Sequence, residues 1–175
     1  KRVAQTGNPH LWDHVQAEVQ GLDQSKLELL AVSQEVFKDF HTQPGALGDL
    51  PQITVDPGDT AQVCRLAKED HRLAFRQLQC LACVDYKDHF QLVYILHSLE
   101  PDRTLVVKTN VPYDDPRLPS VTPVWRAGEW YEREAHDLFG VVFDGHPDLA
   151  PLLLYDGFEG YPGRKEYPFY DYQEF

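Results

Sequence analysis

The sequence predicts an α+β fold, with a mixed or antiparallel sheet covered by helices and an irregular C-terminal segment rich in Pro, Gly and aromatic residues. Two observations carry this. Three strand-like runs follow one another between residues 78 and 111 with short gaps, and stretches with helical spacing flank them. Beyond residue 140 apolar residues persist while periodicity stops. A chain of 175 residues is one domain in size. It divides into an α+β core over 1–125 and a signature helix with an extended docking segment over 126–175.

The elements follow in order. HLWDHVQAEVQ (10–20) sets Leu11, Val15 and Val19 at helical spacing before a stop at Gly21. Residues 26–40 fit either element, and a strand over Leu27 to Val32 is the preferred reading. QPGALGDLP (43–51) reads as a loop from its glycines and prolines. QITV (52–55) is a short strand. Asp59 is placed to cap a helix that runs to Glu69 and buries Val63, Leu66 and Ala67.

LQCLACVDY (78–86), HFQLVYILHSL (89–99) and TLVVKTNV (104–111) then form a meander, turning at Lys87-Asp88 and between Glu100 and Arg103. In the middle run Phe90, Leu92, Tyr94 and Leu96 share one face, with Val93 and Ile95 on the other. Apolar residues on both faces predict helices or another subunit on both sides. PYDDPRLPSVTPVW is extended by its four prolines, and SVTPVW opens a short helix capped by Ser120. A charged helix spans Ala127 to Phe139. The tail from Gly140 holds Val141, Val142, Phe143, Leu152 to Tyr155, Phe158, Tyr161, Tyr167, Phe169 and Tyr170. So much apolar surface needs its own core or a partner to lie on.

The hydrophobic fraction of 42% and aromatic fraction of 12% belong to a folded chain. The net charge of −12 repels nucleic acid and anionic lipid, and suits a basic protein partner or plain solubility. No apolar run approaches the roughly 20 residues of a membrane span, and there is no signal-peptide pattern. Met is absent and Lys1 stands first, so a truncated or processed N-terminus is expected. Cys64, Cys80 and Cys83 are an odd set, which favours a reducing compartment over a disulfide framework. Cys80 and Cys83 form a CxxC on a strand. Buried cysteines are the favoured reading, and a partial metal or redox site is the lesser one.

WYEREAHDLFG (130–140) concentrates charge between large apolar residues. Glu132 and Glu134 point about 200° apart on a helix and cannot work as a catalytic pair. Glu132 and His136 share a face, but two ligands are too few for a metal site, and HExxH is absent. Glu129 to Arg133 and Arg133 to Asp137 have i,i+4 spacing, which predicts a self-paired, half-buried helix stopped by Gly140. His146 reads as a structural hydrogen-bonder. Arg164-Lys165 is a basic island, either a solvated turn or a docking contact. The chain has no GxGxxG, no phosphate-binding Gly-rich lysine loop and no GxSxG elbow.

EREAHDLFGVVFDGHPDL (132–149) resembles the signature of the 30-kilodalton subunit family of respiratory complex I, the NADH:quinone oxidoreductase. The matching residues are Glu132, Arg133, Glu134, Asp137, Leu138, Phe139, Gly140, Gly145, His146 and Pro147. VPYDDPRLPSVTPVW resembles the family's proline-rich approach, and GYPGRKEYP (160–168), with Arg164 and Lys165, its ending. The likeness covers roughly residues 78 to 168. The sequence departs from the pattern at Ala150-Pro151, where basic residues are common, and at Tyr155 to Phe158.

This resemblance implies an α+β subunit of the hydrophilic arm, with no catalytic residue and no flavin, iron–sulfur cluster, quinone or metal of its own. Iron–sulfur clusters and quinone belong to partner subunits. The implied partners are the large hydrogenase-like subunit and other hydrophilic-arm subunits, with the membrane arm contacted indirectly and no nucleic acid. The whole machine would be a proton-pumping NAD(P)H- or ferredoxin:quinone oxidoreductase. The chain would sit peripherally on the cytoplasmic, stromal or matrix side of a bacterial, thylakoid or related membrane. Membrane-bound NiFe hydrogenases and archaeal F420H2 dehydrogenase carry equivalent subunits. A different class, a free-standing metal-dependent enzyme using Glu132 and His136, is the alternative.

Overall fold

A computed structural model describes Val19 and residues 21–168. The helix expected over 10–20 lies outside these residues apart from Val19, and so do Phe169 and Tyr170. The order of elements is α1 (Gln24–Val36), β1 (Thr42–Leu47), β2 (Leu50–Val55), α2 (Thr60–Glu69), β3 (Gln77–Asp85), β4 (His89–Leu99), β5 (Asp102–Pro112), β6 (Arg117–Pro119), α3 (Gly128–Phe139) and β7 (Val142–Asp144). Five strands form a sheet in the order β1-β2-β5-β4-β3, and β6 pairs with β7. The β2/β5 and β6/β7 pairs are parallel and the others antiparallel, so the fold is α+β with a mixed sheet.

The meander forms where expected. Phe90, Leu92, Tyr94 and Leu96 are fully buried and pack in one core with Leu29 and Leu30 of α1, Val63, Cys64 and Ala67 of α2, and Ala135 of α3. These three helices therefore pack into one core on one face of the sheet. Val93 and Ile95 stay half-buried and outside that core, so among the described residues no helix covers the second face, which the sequence reading gives to helices or to another subunit. Cys80 pairs with Ile95 and Cys83 with Leu92, so the two cysteines point to opposite faces.

Three local expectations fail for physical reasons. The strand proposed over Leu27 to Val32 is part of α1. The deciding signal is the cap: the Asp23 carboxylate accepts from the Lys26 N–H at 3.0 Å, which sets a helical first turn. The loop proposed over 43–51 is a hairpin of β1 and β2 with Leu47 opposite Leu50. Gly48 at φ +61° supplies the left-handed residue of a two-residue turn, and Pro44 is tolerated because β1 is an edge strand among the described residues. Asp59 stands at the start of α2, but its side chain makes no capping hydrogen bond.

The helix expected from SVTPVW is a single turn, in which the N–H groups of Val124 and Trp125 both donate to the Val121 carbonyl. Its Ser120 hydroxyl accepts from the Thr122 N–H at 3.1 Å.

Candidate functional site

Helix α3 forms over the expected residues and ends where Gly140 turns left-handed at φ +77°. A side chain at Gly140 is excluded twice. The conformation disfavours one, and a Cβ would lie 2.6 Å from the Tyr161 ring.

The i,i+4 ladder does not form. Among the described residues Arg133 makes no ion pair; it donates to the Ala150 carbonyl through Nε at 3.0 Å and to the Pro151 carbonyl at 2.7 Å. Asp137, one turn on, accepts from the N–H groups of Leu152, Leu153 and Leu154 at 3.1, 2.8 and 2.9 Å, all at Oδ2. One face of α3 thus holds consecutive carbonyls and then consecutive amides of the same irregular segment. That segment has no sheet partner of its own, and unpaired backbone groups are costly once desolvated. Burial pushes the Asp137 carboxyl up, the three amides push it down, and the net direction is down.

Glu132 faces the other way and is fully buried. Its carboxylate accepts from Ser120 Oγ and from the Val121 N–H, each at 2.6 Å. Desolvation raises its pKa to about 7 against the opposing pull of those two hydrogen bonds. The His146 side chain is also buried, with Nε2 3.9 Å from Glu132 Oε2. His146 Nδ1 accepts from the Asp148 N–H at 3.0 Å, so Nε2 carries the hydrogen that goes to the Glu129 carbonyl at 3.1 Å. His146 is therefore a structural hydrogen-bonder that ties the turn at Gly145 and Pro147 to α3.

His136 donates through Nδ1 to the Val141 carbonyl at 2.8 Å, away from Glu132. Glu132 and His136 do not converge, and no group of three or more His, Cys, Asp or Glu among the described residues is placed to hold a metal ion. Glu134 is exposed.

The Arg164 side chain is largely buried and turns inward, unlike a solvated turn. Its Nε donates to the Phe139 carbonyl at 2.8 Å. Its guanidinium lies 5.1, 5.1 and 4.7 Å from the ring centres of Phe90, Tyr113 and Tyr161. Lys165 is exposed at its side chain, but its N–H donates to Asp85 Oδ2 at 2.7 Å. Sequence reasoning misses Asp85 and Tyr113, and it singles out Ser120 as a cap without its bond to Glu132. Asp85 carries a signal: an acid opposite Phe90 on the buried face of a strand needs a polar partner.

The result is an irregular segment pinned along α3, with large apolar side chains left outside. Trp130, Leu153 and Tyr155 are 61%, 63% and 72% exposed. The Arg133 guanidinium lies 5.6 Å from the Trp130 ring centre.

The family model described as respiratory-chain NADH dehydrogenase, 30 Kd subunit, matches residues 53–173. The chain belongs to this family. An NADH-quinone oxidoreductase subunit from Chloroherpeton thalassium is 41% identical over 67% of this chain and 50% of its own length. Another from Rhizobium meliloti is 37% identical over 74% of this chain and 72% of its own. The chain thus spans from about half to about three quarters of these relatives.

Two solved structures show the same fold. One is an archaeal respiratory membrane complex, the membrane-bound sulfane sulfur reductase, with TM-score 0.71, 28% identity, and coverage of 83% of this chain and 86% of that one. The other is a trypsin-resistant fragment of Nqo5, with TM-score 0.56, 30% identity, and coverage of 71% and 99%. The residues that carry the sequence resemblance lie in α3, its following turn and the Arg164-Lys165 ending. Among them Arg133, Asp137, His146, Arg164 and the Lys165 backbone help fix the chain's own irregular segment.

Proposed function

We propose that this chain is a cofactor-free, non-catalytic subunit in the peripheral arm of a complex I-type quinone oxidoreductase. There it supports assembly and packs against the large hydrogenase-like subunit near the quinone-reducing module. The observation that carries this reading is the spatial division of labour around α3. Arg133, Asp137, His146 and Arg164 all turn inward onto backbone carbonyls, amides or rings of the same chain. Trp130, Leu153 and Tyr155 are left outside on the framework so fixed. Charges spent internally with aromatic and aliphatic groups displayed outward are the anatomy of an interface.

No described helix is long and apolar enough to cross a membrane. Membrane association would therefore come through partners, with iron–sulfur clusters and quinone in those partners. The likeness to a chain of the archaeal sulfur reductase complex supports the same structural role in related membrane-bound oxidoreductases. Expression of the full chain with and without its large partner subunit tests the reading. Stable co-purification is expected, with no iron or flavin in the isolated chain. Stoichiometric iron or flavin in the isolated chain, or no association with the large subunit, would overturn it. The identity of the co-purified chains distinguishes a quinone-linked complex from a hydrogenase-type one.

A further inference from the structure

A second surface lies apart from the pinned segment. A groove of about 480 Å³ runs between the start of β3 and the turn that precedes α3. Lys68, Arg76 and Arg126 line it, and no described acid does. In a chain with 28 acids and 16 Lys and Arg, this is the reverse of the surface's average.

Arg72, Arg117 and Arg164 each meet an acid. Arg76 and Arg126 are exposed and have no ion-pair partner among the described residues. Lys68 is anchored at the groove wall by donating to the Val124 carbonyl. The floor is firm: Trp125 is buried with its indole N–H donated to the Phe75 carbonyl, and Leu78 is buried beside it.

We infer that this groove receives an acidic, extended segment of a neighbouring subunit in the assembled complex. The inference rests on the reading of the chain as a subunit of such a complex. Two exposed guanidinium forks and an ammonium lining one groove suit the carboxylates of an acidic peptide, because a guanidinium can hold a carboxylate by two parallel hydrogen bonds. β3 is an edge strand among the described residues, which leaves room for a chain to lie alongside.

The ladder itself cannot be extended far. The register shifts between Leu78 and Cys80, and the Gln79 carbonyl already accepts from the Tyr131 hydroxyl at 2.7 Å. Side-chain carboxylates, rather than an added strand, therefore supply the contact. A nucleic acid or a lipid surface extends well beyond the groove and would meet the rest of a chain of charge −12, whereas a short acidic segment meets the groove alone.

Zero-length carbodiimide coupling tests this in the assembled complex, since it joins an ammonium to a carboxylate that it touches. The expected result is an amide between Lys68 and an Asp or Glu of another subunit, mapped by mass spectrometry. Its yield should fall at least tenfold in the Arg76→Glu/Arg126→Glu double variant and persist in Arg76→Lys/Arg126→Lys. The exposed, unpaired state of both arginines predicts an unchanged melting temperature for the isolated full chain. Should the charge-reversed chain fold poorly, Arg76→Gln/Arg126→Gln should show the same loss.

Coupling of Lys68 only to acids of its own chain or of a second copy, or not at all, would overturn the inference. So would undiminished coupling after charge reversal. Binding of single-stranded DNA or phosphatidylserine vesicles by the isolated chain, abolished by the same reversal, would assign the groove to another ligand. If the wild-type chain recruits no other subunit, the underlying reading falls as well. If the complex forms and Lys68 stays uncoupled, only the groove is lost.

Discussion

The meander of β3, β4 and β5 and the segment from Gly145 to Pro168 are ordered by opposite means. In the meander, backbone groups pair with one another and side chains fill the core. In the segment, backbone groups find few partners of their own kind, and Arg133, Asp137, Asp85 and Arg164 complete the bonding. The first region is held by apolar burial, which tolerates changes of similar volume. The second is held by particular atoms at particular distances, and one lost group releases several backbone partners at once. An irregular chain can be fixed without sheet or helix when a neighbouring helix supplies its hydrogen bonds.

Phe90 joins the two regions and should give the largest effect. It is fully buried, stacks on Tyr113 at 4.6 Å, meets Phe139 edge-on at 6.1 Å and lies under Arg164. Phe90→Ala should cost about 3–5 kcal/mol in urea unfolding. It should also speed proteolysis within 145–168 in the folded state. Leu92→Ala, equally buried in β4 but outside that ring cluster, should destabilise by about 2–5 kcal/mol and leave the segment protected. Equal protease sensitivity in both variants would erase the distinction between the regions.

The next effect is one of pH. Glu132 is buried, and its pKa is raised to about 7 from an ordinary 4.5. Between these values the folded chain binds a proton that the unfolded chain has released, so this group's contribution to stability falls as pH rises from 4.5 to 7 and levels off above. Glu132→Gln keeps an acceptor for the Val121 N–H and cannot ionise. Its melting temperature should vary less across that window than the wild type's, and it should gain relative to wild type at pH 8. An unchanged pH slope would show that Glu132 is not the group responsible. Glu132→Ala should be destabilising by a few kcal/mol at any pH, because the Val121 N–H and Ser120 hydroxyl lose their buried acceptor.

The two regions also differ in how far the sequence reveals them. The meander is legible because Phe90, Leu92, Tyr94 and Leu96 alternate and each obeys the same burial rule. The hairpin at 43–51 is hidden by Pro44 and Pro51, although Gly48-Asp49 between Leu47 and Leu50 is a turn signal. α1 is hidden because Leu27, Leu29, Leu30 and Val32 fit both periods and only Asp23 breaks the tie. Around α3 the residues of interest are legible and their partners are not. Spacing rules see side chains one turn apart, so they pair Arg133 with Glu129 and Asp137. Its true partners are the carbonyls of Ala150 and Pro151, which any residue would provide. Ser120 sits 12 residues from Glu132 and leaves no local trace.

Asp137 tests the pinned segment directly. Asp137→Ala leaves three amides without their acceptor, at a cost of about 1–3 kcal/mol confined to that segment. Hydrogen exchange at Leu152, Leu153 and Leu154 should accelerate about tenfold or more while exchange in β4 stays unchanged. Wild type should show the same local loosening only in strong acid. Its carboxyl is held below 3.8, and the contribution is lost as pH falls through that lowered value. Acceleration in β4 as well would mean that the segment and the sheet unfold as one unit.

Arg133 should have the smallest effect on the isolated chain and a larger one on assembly. It is half-buried and gives up water to hold two carbonyls, so Arg133→Ala should cost only about 1 kcal/mol of local stability. The same change frees Pro151 and the neighbouring Leu153 and removes the cation beside Trp130. Each of those apolar groups must then be ordered at the moment of docking, and ordering subtracts from affinity. Arg133→Lys should rescue poorly, because an ammonium cannot reproduce two hydrogen bonds from a planar fork. The expected outcome is a reduced fraction of assembled complex with turnover per assembled complex unchanged. Normal assembly with lost turnover would place Arg133 in the chemistry of the complex and remove the purely structural role proposed for α3.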